Sequence, residues 1–143
     1  MKYYQKLTFL FCLMFGFIGI QRVVIGVIMP RIKEELQFDD FHVGLIVAIT
    51  GLTWAIGTIV FAAIGDRYGR RPVIAICTIL SGVFSWATGF ANSVGQLIAV
   101  RGFLGLFEGG PYPLSMGTIS EEAPPHRRAL HAGLVTGSFM LIR

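Results

Sequence analysis

Long apolar blocks, each near or above twenty residues and separated by short charged segments, constrain this chain more than any other feature. A hydrocarbon core takes about 20 apolar residues to cross as helix. Inside lipid every backbone N–H and C=O must be satisfied within the spanning element, which favours helices for blocks of this length. A soluble domain carries roughly 25% charged residues; this chain has 14%, with a mean hydropathy of +0.68. A globular core this apolar would have almost no polar residues left to cover itself. The expected fold is therefore all-α, a polytopic bundle of transmembrane helices.

Five segments follow along the 143 residues. Spans are expected at about 7–29, 42–65, 73–91 and 96–119, with a fifth beginning near 129 and reaching residue 143. Pro30 opens a charged stretch, Arg31 to Asp40, between the first two. Lys2 and Lys6 precede the first apolar run like the start of a signal peptide. That run continues to about Met29 without a small-residue cleavage site, so it reads as a retained helix.

The basic residues set the topology. Lys2, Lys6, Arg67, Arg70, Arg71, Arg127 and Arg128 fall on one side, and only Arg31 and Lys33 on the other. The richer side is expected in the cytoplasm, together with the N-terminus. The net charge of +4 thus reads as a topology signal, with no nucleic-acid partner expected. Cys12 and Cys77 each lie inside an apolar run and read as small packing residues. His42, His126 and His131 form no ligand spacing; the last two read as loop or interface residues. No catalytic constellation, metal set or phosphate-cradling loop is visible, so neither enzyme chemistry nor a cofactor is expected.

Two segments carry glycine at helical spacing. Gly44, Ala48, Gly51, Ala55, Thr58, Ala62 and Gly65 recur every three or four residues in the second span. Such a stripe lets a neighbouring helix approach closely in lipid. Gly133 and Gly137 repeat the pattern in the fifth.

Between the second and third spans stands Gly65-Asp66-Arg67-Tyr68-Gly69-Arg70-Arg71-Pro72. Gly69 can take the positive φ of a tight turn. Pro72 suits a first helical turn, where its missing N–H costs nothing. Asp66 complements the positive end of the following helix. The segment resembles the loop motif of the major facilitator superfamily, G-x-x-x-D-[RK]-x-G-[RK]-[RK], with Ala62 in place of the leading glycine. That resemblance implies a gating loop formed by Gly65, Asp66, Arg67, Gly69, Arg70 and Arg71. It also implies a fold of two six-helix bundles, of which residues 1–143 supply an incomplete first bundle, about 4.5 of 12 helices. The C-terminal half of the carrier would then be an obligatory partner.

Arg22, Arg101 and Glu108 are ionisable residues placed within spans. Each is costly in hydrocarbon, by about 2.5–3.5 kcal/mol on insertion scales, and is expected to face a bundle interior or a wet cavity. Arg101 and Glu108 are two turns apart, about 10 Å along the axis, on a face shared with Gly105 and Gly109. A carboxyl at that depth can gain or lose a proton as its surroundings change. Arg22 keeps its charge and offers a planar fork of donors suited to a carboxylate or a phosphate. The alternative for Arg22 is an internal ion pair that holds helices together.

The run Arg101-Gly102-Phe103-Leu104-Gly105-Leu106-Phe107-Glu108-Gly109-Gly110-Pro111-Tyr112-Pro113, with Ala123-Pro124-Pro125-His126-Arg127-Arg128, is similar to the fourth helix of the anion:cation symporter family and the loop after it. Arg22-Val23-Val24-Ile25-Gly26-Val27 resembles that family's first helix, with Val24 replacing an asparagine. The resemblance implies that Arg22 binds the substrate anion and that Glu108 couples protons. Tyr112 either lines the cavity or packs. Some relatives have an aspartate where this chain has Gln21, which cannot titrate, so the proton number is open.

The expected function is secondary transport of a small organic anion, a carboxylate or sugar acid, coupled to protons, as part of a longer carrier in the plasma (inner) membrane. An organophosphate antiporter or an aromatic-acid symporter is the alternative within the class. A truncated, non-transporting membrane protein acting by helix pairing is the alternative outside it.

Overall fold

The structure, a computed structural model, describes residues 3–37 and 39–140. They form six α-helices: α1 (Tyr3–Leu36), α2 (Asp40–Tyr68), α3 (Arg70–Thr88), α4 (Val94–Gly109), α5 (Pro111–Glu122) and α6 (Arg128–Met140), with a 3-10 turn over Pro125–Arg127. There is no strand among the described residues. The fold is all-α, and α1, α2 and α3 are each long and apolar enough to cross a membrane.

Several helix ends differ from the sequence expectation. The first helix runs on through Pro30 to Leu36, so most of the charged stretch is helical. Proline withholds one backbone N–H from the ladder, a loss that apolar helices tolerate. The second helix extends to Tyr68, and the third begins at Arg70 and stops at Thr88. The fifth expected span runs Arg128–Met140, and positions 141–143 of that expectation lie outside the described residues, as does Lys2. His131 lies within α6, not in a loop.

The fourth expected span is two helices, α4 and α5, meeting at Gly110. The cause is local chemistry. Pro111 and Pro113 have no N–H to give, so the hydrogen-bond ladder lapses while Gly110 keeps right-handed helical angles, φ −64° and ψ −50°. At the front of α4, Ser93 caps the helix by accepting from the Gln96 N–H (3.3 Å), and the Gln96 side chain accepts from the Asn92 N–H (3.0 Å). This is close to a capping box.

The chain divides into two compact units. One takes the residues up to Val27 and those from Ser115 onward; the other runs Ile28–Leu114.

The Ile28–Leu114 unit is organised around α4. Gly105 and Gly109 bring its backbone against that of α2. A methyl group at Gly105 would fall on the Thr50 carbonyl, and one at Gly109 on the Trp54 carbonyl. Gly57 is the reciprocal position, where a methyl group would fall on the Leu106 carbonyl. Close backbone approach of this kind is how helices associate when lipid is as apolar as leucine. The proline break lies in the same interface. Pro113 cannot serve the Gly109 carbonyl, and the Thr58 hydroxyl, whose one proton is shared with the nearer Trp54 carbonyl at 2.9 Å, lies 3.3 Å from that oxygen. Phe84 of α3 stacks on Phe103 and Phe107 of α4, with centroids 5.4 and 5.6 Å away. Val73, Ile74, Cys77 and Ser81 make one buried stripe along α3.

The contact face of α2 is not the stripe expected from its small residues. Gly44, Ala48, Gly51 and Ala55 do not make it, and nothing lies within 4 Å of a methyl group placed at Gly44 or Gly51. Thr58 of the expected stripe does face α4, together with Thr50, Thr53, Trp54, Gly57 and Phe61, which are not part of it. Gly65 of the expected stripe does pack closely, against Leu114.

In the other unit, Thr8 ties α1 to α6. Its hydroxyl lies 3.0 Å from His131 Nδ1 and donates to the Tyr4 carbonyl at 2.9 Å. A hydroxyl has one proton to give, so His131 Nδ1 is the donor in the first contact. His131 is buried, with Tyr4 edge-on to its ring at 5.2 Å, and is thus an interface residue. Arg128 Nε donates to the Ala123 carbonyl at 3.0 Å across the 3-10 turn. A methyl group at Gly133 or Gly137 would meet nothing within 4 Å among the described residues.

Candidate functional site: an arginine-lined cavity and a buried charged helix

Arg22 lies in the middle of α1, on an exposed position. It opens onto a cavity of about 420 Å³ lined by Gly19, Arg22, Val23, Gly26, Val27 and Phe139. All six belong to one unit. Gly19, Val23 and Gly26 fall within about a turn of Arg22, so α1 presents a smooth wall on either side of the guanidinium. A methyl group at Gly26 would meet nothing within 4 Å. The Arg22 guanidinium carbon lies 5.4 Å from the centre of the Phe139 ring, within cation–π range. Phe139 is not legible as a site residue in the sequence: it is one of 12 phenylalanines in a chain of apolar helices.

Arg101 and Glu108 lie in the other unit, on α4, and both are buried, with 7% and 3% of their surface exposed. Leu97, Leu104, Gly105 and Gly109 are buried with them. The two charges therefore sit on the packed side of α4, beside the glycines that meet α2. Tyr112, one turn beyond Glu108, is 38% exposed. Its ring lies 6.2 Å from that of Trp54, tilted by 49°. Tyr112 thus both packs on Trp54 and keeps an accessible edge.

The turn between α2 and α3 is made by Gly69 alone. Its φ of 97° is the only positive value at a glycine among the described residues. Its N–H donates to the Gly65 carbonyl at 2.9 Å and closes α2. A side chain at position 69 would be strained there. Asp66 sits in the last turn of α2, and Arg70 Nε lies 3.5 Å from its carboxylate. The pair bridges the two helix ends with the aspartate side chain 68% exposed. Arg67 lies over the Tyr68 ring at 5.6 Å, and Arg71 is exposed at the start of α3. At the opposite end of α2, Lys33 of α1 pairs with Asp40.

Comparison with known proteins bears on these features. The chain is 32% identical over 128 residues to a probable sulfoacetate transporter of Cupriavidus necator, covering 90% of this chain and 30% of that protein. It is 29% identical over 137 residues to a 4-hydroxybenzoate transporter of Pseudomonas aeruginosa, covering 95% and 30%. It is 28% identical over 127 residues to a niacin transporter of Acinetobacter baylyi, covering 89% and 29%. The chain spans about 30% of the length of these relatives. The sequence profile described as Major Facilitator Superfamily matches residues 11–142, nearly the whole chain. An all-α chain with three helices fit to cross a membrane, a glycine-turned acidic–basic loop and this match together make it an integral membrane protein of the Major Facilitator Superfamily, to which the chain belongs.

Proposed function

We propose that this chain is the N-terminal part of a secondary transporter for a small organic anion, coupled to protons. The observation that carries the reading is Arg22: a permanently charged fork in the middle of an apolar helix, opening onto a cavity of about 420 Å³. A charge at that depth is costly unless it faces water, a ligand or a partner group, and a guanidinium recognises carboxylates in two-pronged fashion. Three relatives are named for sulfoacetate, 4-hydroxybenzoate and niacin, each a small organic acid. Glu108, buried on α4, is the proton carrier in this reading, and Tyr112 a second substrate-binding residue. Asp66, Arg67, Arg70 and Arg71, with Gly65 and Gly69, form the gating loop. In this reading the loop and the N-terminus face the cytoplasm from the plasma (inner) membrane, and the excess of basic residues around the loop supports that orientation.

The test is uptake of labelled organic acids into proteoliposomes holding the complete protein that carries this chain, with and without an imposed proton gradient. Arg22→Gln is expected to weaken anion binding by about 10- to 100-fold, the worth of a hydrogen bond to a charged group. Glu108→Gln is expected to leave exchange of internal for external substrate in place and to abolish accumulation driven by protons. Unchanged uptake with Arg22→Gln would sink the anion reading; unchanged accumulation with Glu108→Gln would sink the coupling.

A further inference from the structure

Thr8 and His131 form a buried polar contact that the transport reading does not use. His131 is 7% exposed and Thr8 6%. Nδ1 of His131 supplies the proton of that contact, because the Thr8 hydroxyl gives its own to the Tyr4 carbonyl. In the neutral ring the second nitrogen, Nε2, is then a bare acceptor. It is out of solvent and has no hydrogen-bond partner among the described residues. Because that atom is already covered, further chain cannot reach it without moving what covers it.

A second proton on this ring has no place in the closed contact. It would turn Nε2 into a buried donor without an acceptor, and it would put a charge out of water. His131 is the fourth residue of α6, close to the helix end that repels a cation. The titratable side chain shown against the ring is Tyr4 of α1, which brings a phenol and no carboxylate. The charged residues of the adjoining segments are Lys6 on α1, Glu121 and Glu122 at the end of α5, and Arg127 and Arg128 ahead of the ring. All five are exposed, and none of them hydrogen-bonds Nε2.

We propose that the Thr8–His131 contact is a proton-sensitive latch between α1 and α6, closed on the neutral imidazole and opened when Nε2 takes a proton from water. Imidazole is the side chain suited to such a switch near neutral pH. The latch holds at higher pH and is released as pH falls. Arg22 lies on α1 and Phe139 on α6, so release loosens the two helices that line the Arg22 cavity. The latch stands whether or not Arg22 binds an anion.

The experiment is amide hydrogen exchange, read peptide by peptide, on the complete carrier in detergent at about pH 8 and about pH 5. Exchange around Thr8 and around His131 is divided by that of the same amides in His131→Asn. The asparagine can donate to Thr8 and cannot take a proton, and the ratio cancels the chemical pH dependence of exchange. It is expected to rise by about five- to tenfold from the higher to the lower pH, the low end of what an unpaired buried donor costs. An equal ratio at both pH values overturns the latch. If His131→Asn does not fold, the buried α3 stripe from Val73 to Ser81 is the reference within the same sample. A rise shared equally by that stripe is general loosening and overturns a local latch. Thr8→Val keeps the ring and removes its partner oxygen, and is expected to exchange faster than the wild type already at the higher pH. Wild-type protection in Thr8→Val there shows that the hydrogen bond holds nothing, and the latch falls with it.

Discussion

Glycine serves opposite ends in the two units. In the Ile28–Leu114 unit, Gly57, Gly105 and Gly109 remove side chains so that the backbones of α2 and α4 touch; a methyl group at any of them would fall on a carbonyl of the other helix. In the other unit, Gly26 removes a side chain and a methyl group there would meet nothing. The open space belongs to the wall of the Arg22 cavity. One use of glycine makes a close helix pair, and the other leaves a cavity open. An apolar helix rich in glycine therefore says that something comes close, and leaves open whether it is a helix or a substrate.

The largest effect that would break this comparison is on folding. Gly105→Leu or Gly57→Leu places a side chain where a backbone already is. Overpacking costs about 1–3 kcal/mol even when neighbouring side chains can shift, and here the obstacle is main chain. Loss of monodisperse protein in detergent, or a large fall in thermal midpoint, is expected. Gly51→Leu, on the open face of the same α2 helix, is the control and is expected to be neutral. Equal damage from Gly51→Leu would mean that the small-residue stripe, and not the Gly57 face, is what holds the helix.

That contrast also bounds how much of the fold is readable in the residues. That the chain is all-α, with stretches long and apolar enough to cross a membrane, is legible, because length and apolarity determine it. The Gly69 turn is legible too, because a positive φ there favours a residue without Cβ. The interior face of α2 is not. In a soluble helix the buried face is the apolar one, but lipid is as apolar as a helix core, so the contrast vanishes. Thr50, Thr53 and Thr58 face α4 as readily as any leucine, and their hydroxyls stay satisfied by bonding back to α2 carbonyls at 2.7, 2.9 and 2.9 Å. The α4/α5 break is latent in Pro111 and Pro113, whose missing N–H groups act on the ladder without ending the helical path. Of the candidate site, Arg22 and Glu108 stand out by charge in apolar surroundings. Phe139 has no such contrast, and only the fold brings it beside Arg22.

The next prediction sharpens the other half of the comparison. Gly26→Leu adds a side chain to the cavity wall, and its first carbon meets no protein atom within 4 Å. Stability is expected to hold or to rise slightly, since glycine within a helix costs about 0.5–1 kcal/mol relative to alanine. Anion binding is expected to fall by about tenfold, or roughly 1.4 kcal/mol, because the added side chain occupies ligand space. A thermal midpoint measured beside a binding isotherm separates the two. Lower stability with binding intact would make Gly26 a packing glycine like Gly105.

A smaller effect is expected at Thr58. Its hydroxyl is the group near the Gly109 carbonyl, which Pro113 cannot serve. Thr58→Val keeps the shape and removes the donor. Hydrogen bonds between membrane helices average about 0.6 kcal/mol and reach roughly 1.7, and this one belongs toward the lower end because Thr58 shares its one proton with the nearer Trp54 carbonyl. The matching variant is Pro113→Ala, which restores an N–H to the ladder. In that background Thr58→Val is expected to cost less, and a double-mutant cycle reads the difference. Additive effects would mean the hydroxyl and the proline do not share that carbonyl.

The smallest effect on stability, and the sharpest division between holding a fold and working it, is expected at Asp66. Its carboxylate lies 3.5 Å from Arg70 Nε and its side chain is 68% exposed. Exposed ion pairs contribute about 0–1 kcal/mol, so Asp66→Asn is expected to shift the thermal midpoint very little. Folding alone would then make the residue dispensable. The turn it spans is already fixed by Gly69, whose N–H closes α2 on the Gly65 carbonyl. If the Asp66–Arg70 bridge instead biases the loop between two arrangements, its loss changes the rate of interconversion and leaves the folded state intact. The expected signature in the complete carrier is a reduced maximal transport rate at unchanged substrate affinity and unchanged expression. Arg70→Lys keeps the charge but loses the planar fork, and its rate is expected to fall between that of Asp66→Asn and that of the wild type. Normal turnover in Asp66→Asn would leave the bridge as surface decoration on a glycine turn. A fall in substrate affinity would mean that the loop reports on the cavity and does not merely gate it.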